Sequence, residues 1–264
     1  MSELRHHLRK RGSSMNFMYI MNVVVFLYGI VVGSFLNVCI LRIPEGKSIV
    51  TERSHCMTCG YQLKWYDMFP VFSYIFLKGR CRKCGEKISV QYPLIEAANG
   101  LLWLVSLWVY GLSIDMILVS FLFSALLVLS IIDFRTFEIP FGINVFIACL
   151  GLVRLIVHRE VWYEYVIGFF AVSLLLLIIF LVSKGRGIGG GDVKLMAAAG
   201  LFLGWKYVIL AFILGCAYGS VIHIIRMKVS GEGKVLAMGP YLSMGIFTAL
   251  VCGENIIGWY VSMF

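Results

Sequence analysis

The sequence predicts an all-α polytopic membrane protein, with about eight transmembrane helices and a small cytoplasmic zinc-binding domain between helices 1 and 2. Three observations predict it. First, 60% of the 264 residues are apolar and 14% are charged, against about 25% charged in a soluble domain; the mean hydropathy is +0.90. Disorder is excluded because apolar surface is abundant. A single water-soluble core is excluded because there is too little polar surface to cover it. Second, the apolar residues fall into runs of the length a bilayer demands, about 20 residues per spanning helix. Third, one long polar stretch, residues 42–91, interrupts the runs and carries two Cys-x-x-Cys pairs.

The runs cover residues 17–41, 93–112, 114–132, 140–157, 165–182, 195–203, 207–225 and 241–261. The sixth is short and reads as a half-length helix or one packed inside the bundle. The domain organisation that follows is a tail over 1–16, a first helix over 17–41, a loop domain over 42–91 and a membrane-embedded domain over 92–264. In a soluble protein the net charge of +9 would point to nucleic acid. Here it reports topology, because Lys and Arg mark cytoplasmic loops. The 42–91 loop holds nine basic residues, including Arg53, Lys64, Arg80, Arg82 and Lys83, which places it inside. Alternation then puts Arg135, Lys184, Arg186, Lys194, Arg226, Lys228 and Lys234 on the same side, and Arg154, Arg159 and Lys206 on the other. The expected partners are therefore a lipid bilayer and no nucleic acid. One feature runs against the rule: Arg5, Arg9, Lys10 and Arg11 precede the first run, which alternation begins outside. Initiation at Met15 or Met18 would remove the conflict. The first run is longer than the apolar region of a signal peptide and no small-x-small cleavage site follows it, so it reads as an anchor.

The loop cysteines are Cys56-Met-Thr-Cys59 and Cys81-Arg-Lys-Cys84, with 21 residues between the pairs. Each pair can form a tight knuckle aiming two sulfurs at one point, and two knuckles complete a tetrahedron around Zn²⁺. A fifty-residue loop is near the size at which a core needs such a staple, and metal binding supplies folding energy. Two disulfides are the alternative, but they need an oxidising compartment. A catalytic zinc is disfavoured, since four thiolates leave no open position. His55 is a substitute ligand or a solvated neighbour. Cys39, Cys149, Cys216 and Cys252 lie singly in apolar runs and read as small packing residues.

Ionisable groups inside spans are expensive and default to functional candidates. Asp115 and Glu164 read as helix caps, Glu254 has no evident partner, and Glu96 either caps its helix or faces the interior. Asp133 ends the third run in Ile131-Ile132-Asp133-Phe134-Arg135, and Asp192 precedes the sixth after Gly189-Gly190-Gly191. Each also has a plainer reading, Asp133 as an interfacial residue and Asp192 as a helix N-cap. The glycines shift the weight, because they permit positive φ and close backbone approach. The run is not a P-loop, lacking Gly-Lys-Ser/Thr, and no strand precedes it as a dinucleotide site requires. Two aspartates sharing a site hold one proton between them. One can then activate a water while the other protonates the carbonyl oxygen or leaving amine, which is peptide hydrolysis without a covalent intermediate. Lys194 favours the ionised Asp192 or a substrate carboxylate, or else anchors the inner membrane face. Three Gly-x-x-x-Gly pairs, Gly29/Gly33, Gly200/Gly204 and Gly215/Gly219, read as helix-packing seams or as substrate-docking faces. Asn37 and His223 read as interhelical hydrogen bonders.

These residues resemble the type IV prepilin peptidases, GxGD-type membrane aspartic proteases also called leader peptidases. The likeness runs in order along nearly the whole chain: Gly33-Ser34-Phe35-Leu36-Asn37-Val38, Arg53-Ser54-His55-Cys56, Trp65 to Pro70, Cys81 to Cys84, Tyr92-Pro93-Leu94-Ile95-Glu96, Asp133 to Pro140, Gly189 to Leu195, and Gly239-Pro240-Tyr241-Leu242. Phe141 departs from the Asp or Asn the family often carries there. The resemblance implies catalysis by Asp133 and Asp192. It implies an active-site loop at Gly189, Gly190, Gly191 and Lys194, and structural zinc on Cys56, Cys59, Cys81 and Cys84. It further implies cleavage of leader peptides from type IV prepilins and pilin-like secretion or competence precursors, at the cytoplasmic face of the bacterial inner membrane. Many relatives with the cysteine loop also methylate the new N-terminus with S-adenosylmethionine. No methyl-donor site is derivable from these residues, so that second activity rests on resemblance alone.

Overall fold

A computed structural model describes residues 2–230 and 236–263, with side chains described over 17–228 and 236–263. Lys234 and the basic side chains of the first sixteen residues lie outside the described ones. The described chain is helical: α1 (Ser2–Arg42), α2 (Phe72–Phe76), α3 (Gln91–Tyr110), α4 (Ile114–Thr136), α5 (Phe141–Val157), α6 (Trp162–Ala171), α7 (Ser173–Ser183), α8 (Gly190–Leu203), α9 (Trp205–Ser230) and α10 (Gly239–Val261). Among the described residues, six spans are long and apolar enough to cross a membrane: Phe17–Arg42, Gln91–Tyr110, Ile114–Thr136, Arg159–Ser183, Trp205–Lys228 and Gly239–Val261. The two remaining apolar runs form the shorter α5, with 17 residues, and α8, with 14.

The helix ends follow local chemistry. Gly111, at φ +61°, closes α3, and Gly204, at φ +80°, separates α8 from α9. Pro140 sits extended just before α5, where its fixed φ and missing N–H cost nothing. Between α6 and α7 the Ser173 hydroxyl donates to the Phe169 carbonyl, a back-bond that bends helices.

The chain divides into two compact units, 1–39 with 48–116 and 40–47 with 117–264. In the first, α1 and α3 touch along a seam of small residues. A Cβ on Gly29 would lie 2.7 Å from the Gly100 Cα, and one on Gly33 would lie 2.7 Å from the Glu96 Cα. Polar groups tie the same seam: Asn99 Nδ2 donates to the Gly29 carbonyl at 2.7 Å, and Asn37 Nδ2 to the Tyr92 carbonyl at 3.1 Å. Gly29/Gly33 is therefore a packing motif, and Asn37 does bond between helices. Gly33→Leu is expected to destabilise the unit by about 1–3 kcal/mol or more, because the obstructing atoms are backbone. A lowered thermal unfolding midpoint in detergent would register this.

In the second unit α8 is enclosed by α5, α6, α7 and α9. Leu195, Met196, Ala199 and Phe202 are fully buried, which explains how so short an apolar helix is stable. Gly200 of α8 meets the backbone of Gly168 on α6 so closely that neither tolerates a side chain, and Gly215 of α9 packs on Leu242 of α10. Helices α5 and α8 run parallel. Ile139 opposes Gly191 at one end, and Gly151 opposes Leu201 and Phe202 at the other. There Arg154 donates to the Phe202 carbonyl at 3.1 Å, capping the negative end of α8.

Candidate functional site

Two sites emerge, one in each unit. In the first unit, the loop builds two matching knuckles. The Cys56 N–H donates to the Tyr61 carbonyl and the Gly60 N–H to the Cys56 carbonyl, each at 2.9 Å. The second knuckle repeats the pattern, Cys81 N–H to Glu86 carbonyl at 2.8 Å and Gly85 N–H to Cys81 carbonyl at 2.9 Å. Gly60 and Gly85 close the two turns at φ +66° and +72°, a conformation that favours glycine. The four Sγ atoms of Cys56, Cys59, Cys81 and Cys84 lie within 4.8 Å of one another. Cys56 and Cys84 are 3.9 Å apart and Cys59 and Cys81 4.0 Å. Those separations exceed the ~2.05 Å of a disulfide. They fit the ~3.8 Å edge of a tetrahedron with ~2.3 Å metal–sulfur bonds. The N–H groups of Cys59 and Thr58 pull the Cys56 thiol down to about 6. Cys84 receives the Glu86 N–H, yet desolvation and the neighbouring sulfurs push it up to about 12. Four thiols this close do not all ionise unaided, and a cation would resolve the conflict. The exposed His55 ring stands outside the quartet, its Nδ1 3.2 Å from the Arg53 carbonyl.

Asp67, which sequence reasoning did not single out as a site, joins the knuckles. It is 8% exposed. It accepts from Arg82 Nε at 2.7 Å, from the Tyr61 hydroxyl at 3.1 Å and from the Lys64 N–H at 3.2 Å. Burial alone would raise its carboxyl, but the Arg82 guanidinium and the two other donors hold it below the usual carboxylate range. A carboxyl with a lowered folded value stabilises the loop above the ordinary value of 3.8 and loses that contribution as pH falls through the folded value. Accordingly, Asp67→Asn should speed amide hydrogen exchange across the knuckles at neutral pH, and the difference from the parent should shrink in strong acid.

The second site gathers the end of α4 and the starts of α8 and α10. Asp133 lies in the last turn of α4, which stops at Thr136 as Phe137 turns to φ +55°. The Asp133 side chain is 4% exposed, and its Oδ2 accepts the Gly239 N–H at 2.8 Å. Gly239 opens α10, so its N–H has no intrahelical partner, and the helix dipole favours a carboxylate there. A Cβ on Gly239 would lie 2.7 Å from that Oδ2, so glycine is what lets the carboxylate in. Asp192 is the third residue of α8, buried beneath the Gly189 turn and within reach of the Asp133 charge. Thus two acids far apart in the chain are both buried in one unit, with Asp192 within reach of the Asp133 charge.

Of the two uses expected of the glycine run, positive φ and close approach, the structure shows the second. Gly187, Gly189, Gly190 and Gly191 are absent from the positive-φ positions, where Gly185 stands instead at +75°. Gly191 and Gly189 contribute space: a Cβ on Gly191 would meet that of Ile139 at 2.9 Å, and one on Gly189 would lie 3.1 Å from the Asp192 Oδ2. Lys194 is exposed and holds its ammonium 5.3 Å above the Phe141 ring. Glu96 faces the interior of its unit, where it accepts the Val71 N–H at 2.7 Å and fastens the loop to α3. Asp115 and Glu164 sit in the first turns of α4 and α6.

A polytopic helical protein with paired buried carboxylates at helix ends, and a four-thiol site in a polar loop, is the class these features define. Comparison with known proteins agrees. Residues 27–110 match the bacterial peptidase A24 N-terminal domain, and residues 120–224 match the type IV leader peptidase family. The chain is 31% identical over 245 residues to a prepilin leader peptidase/N-methyltransferase of Bacillus subtilis (strain 168), covering 91% of this chain and 98% of that one. Proteins of the same name in Pseudomonas putida and Pectobacterium carotovorum subsp. carotovorum are 31% and 32% identical. Those alignments each cover 86% of this chain, and 89% and 92% of the relatives respectively. No solved structure matches. The chain belongs to the type IV leader peptidase family.

Proposed function

We propose that this chain is a membrane aspartic endopeptidase that removes the leader peptide from type IV prepilins and pilin-like precursors. The observation that carries the proposal is the buried pair of Asp133 and Asp192, with Gly239 holding the first. One carboxylate takes a proton from water as that water attacks the scissile carbonyl carbon. The other carboxyl gives its proton to the carbonyl oxygen. The resulting gem-diol collapses as the C–N bond breaks, and a proton returns to the leaving nitrogen. The expected active-site loop is instead the start of α8: Gly189 is its N-cap, and Gly190, Gly191 and Lys194 lie in its first turns beside Asp192. The expected test result is cleavage of a purified prepilin by the detergent-solubilised protein; an uncut precursor would reject the reading. Gly239→Ala should lower kcat about 10²-fold while the protein stays folded, because a displaced carboxylate misses its attacking geometry.

The cysteine quartet is read as structural zinc, supported by the sulfur spacing and by the closed four-thiolate donor set. Zinc there would staple the loop and leave no position for substrate. Methyl transfer from S-adenosylmethionine to the new N-terminus is read from the relatives' names; adding the donor to the cleavage reaction and weighing the product separates cutting from methylation. The loop domain over 42–91 and the active site are read as facing the cytoplasm, and the domain over 92–264 as embedded in the inner membrane with all its apolar runs, α5 and α8 among them. The excess of Lys and Arg supports that orientation. Exposed Trp65, Phe69, Phe72 and Phe76 beside Lys64 and Lys78 suit contact with the headgroups of anionic lipid.

A further inference from the structure

Buried polar atoms are almost always hydrogen-bonded, and the second unit holds two described side chains that are not. Asn144, 4% exposed, has no partner for either Nδ2 or Oδ1, and Ser243, 6% exposed, has none for its hydroxyl among the described residues. Their positions relate them to the carboxyl pair. Ser243 lies four residues after Gly239 on α10, on one buried face with Gly239, Ile246 and Leu250. That is one turn, about 6 Å, along the helix from the N–H that binds Asp133. Asn144 shares the face of α5 that carries Ile147 and Gly151. The parallel register, Ile139 at Gly191 and Gly151 at Leu201, puts Asn144 beside Leu195 and Met196, one turn beyond Asp192. Two unpaired polar side chains therefore occupy the layer one turn inward from the two acids, on the faces of α5 and α10 turned to the core.

A substrate of the proposed reaction needs partners at that depth. The family resemblance implies a precursor whose own apolar helix stays in the membrane, so the scissile bond must lie extended between the carboxyls with that helix beginning just past the cut. The first four N–H groups of any helix lack intrahelical acceptors. In a medium without water that deficit is severe. We infer that Asn144 and Ser243 are substrate-positioning residues that bind the first turn of the precursor's apolar helix, on the C-terminal side of the scissile bond. The Asn144 Oδ1 and Ser243 Oγ accept N–H groups of that turn. The Asn144 Nδ2 donates to a carbonyl of the extended segment before it. The two side chains thus hold the helix start in register with the acids.

This inference rests on the peptidase reading, and the experiment keeps the two apart. Cleavage by the parent protein tests the reading. Binding of a fluorescent prepilin to the uncleaving Asp133→Asn protein in nanodiscs tests the inference. Adding Asn144→Leu or Ser243→Ala to that background should weaken binding about tenfold each, the value of one to two hydrogen bonds. Ser243→Thr should restore it. The thermal midpoint without precursor should hold or rise, because each change removes a buried unpaired group. In the otherwise parental enzyme the same variants should raise KM more than they lower kcat. Unchanged precursor affinity in both variants overturns the inference, as does a fall in thermal midpoint that accounts for the whole loss of binding.

Discussion

Replacing Asp133 or Asp192 by Asn should reduce prepilin cleavage by about 10²–10⁴-fold, the usual contribution of a positioned acid or base. Each acid has a distinct task in the two proton transfers, so neither substitutes for the other, and the double variant should be little worse than either single one. Asn is nearly isosteric and uncharged, so it also removes the repulsion between two buried carboxyls. Both variants should insert, purify and melt at or above the parental temperature. The check is a time course of precursor processing beside a thermal melt. Full processing by either variant would refute the assignment, and a collapsed melt would show that the acid served the fold.

Stripping metal from the loop should have the second largest effect. A core this small supplies about 3–5 kcal/mol at best, whereas structural zinc contributes an apparent 10–16 kcal/mol or so in comparable peptides. The metal is therefore expected to decide whether the two knuckles persist. Cys56→Ser or Cys81→Ser should take bound zinc from about one equivalent to near zero and expose the loop to trypsin at Arg53, Lys64 and Arg80. The second unit, which contains none of these cysteines, should keep its helical content. An unchanged digestion pattern in the metal-free variants would remove zinc from the account.

Some of this was legible in sequence because it depends on contiguous residues. The cysteine knuckles are set by two short spacings and a following glycine, and the structure forms them with the hydrogen bonds such turns require. The Gly29/Gly33 motif likewise announced a helix contact. Elsewhere local reasoning stopped short. The glycines before Asp192 suggest positive φ or close approach, and the structure uses the second, at Gly191 against Ile139 and at Gly189 against the Asp192 carboxylate. The sequence around Glu96 does not reveal its role, because its partner, the Val71 N–H, comes from the loop. Asp67 escaped notice because no spacing rule joins it to Arg82 and Tyr61. The family likeness included Gly239 only as part of a motif; its hydrogen bond to Asp133 spans 106 positions.

The chain's hydropathy and charge by themselves determined a helical membrane protein, and its cysteine spacing determined a four-thiol cluster, because each is read within a window shorter than one helix or one turn. Only the tertiary structure decided that Asp133 and Asp192 are both buried in one unit, that Gly239 fastens the first, and that Asn144 and Ser243 lie one turn further in. Those relations are set by which helices pack together and in what register. No local propensity encodes that choice, since it is made by the close approach of small residues on helices distant in the chain.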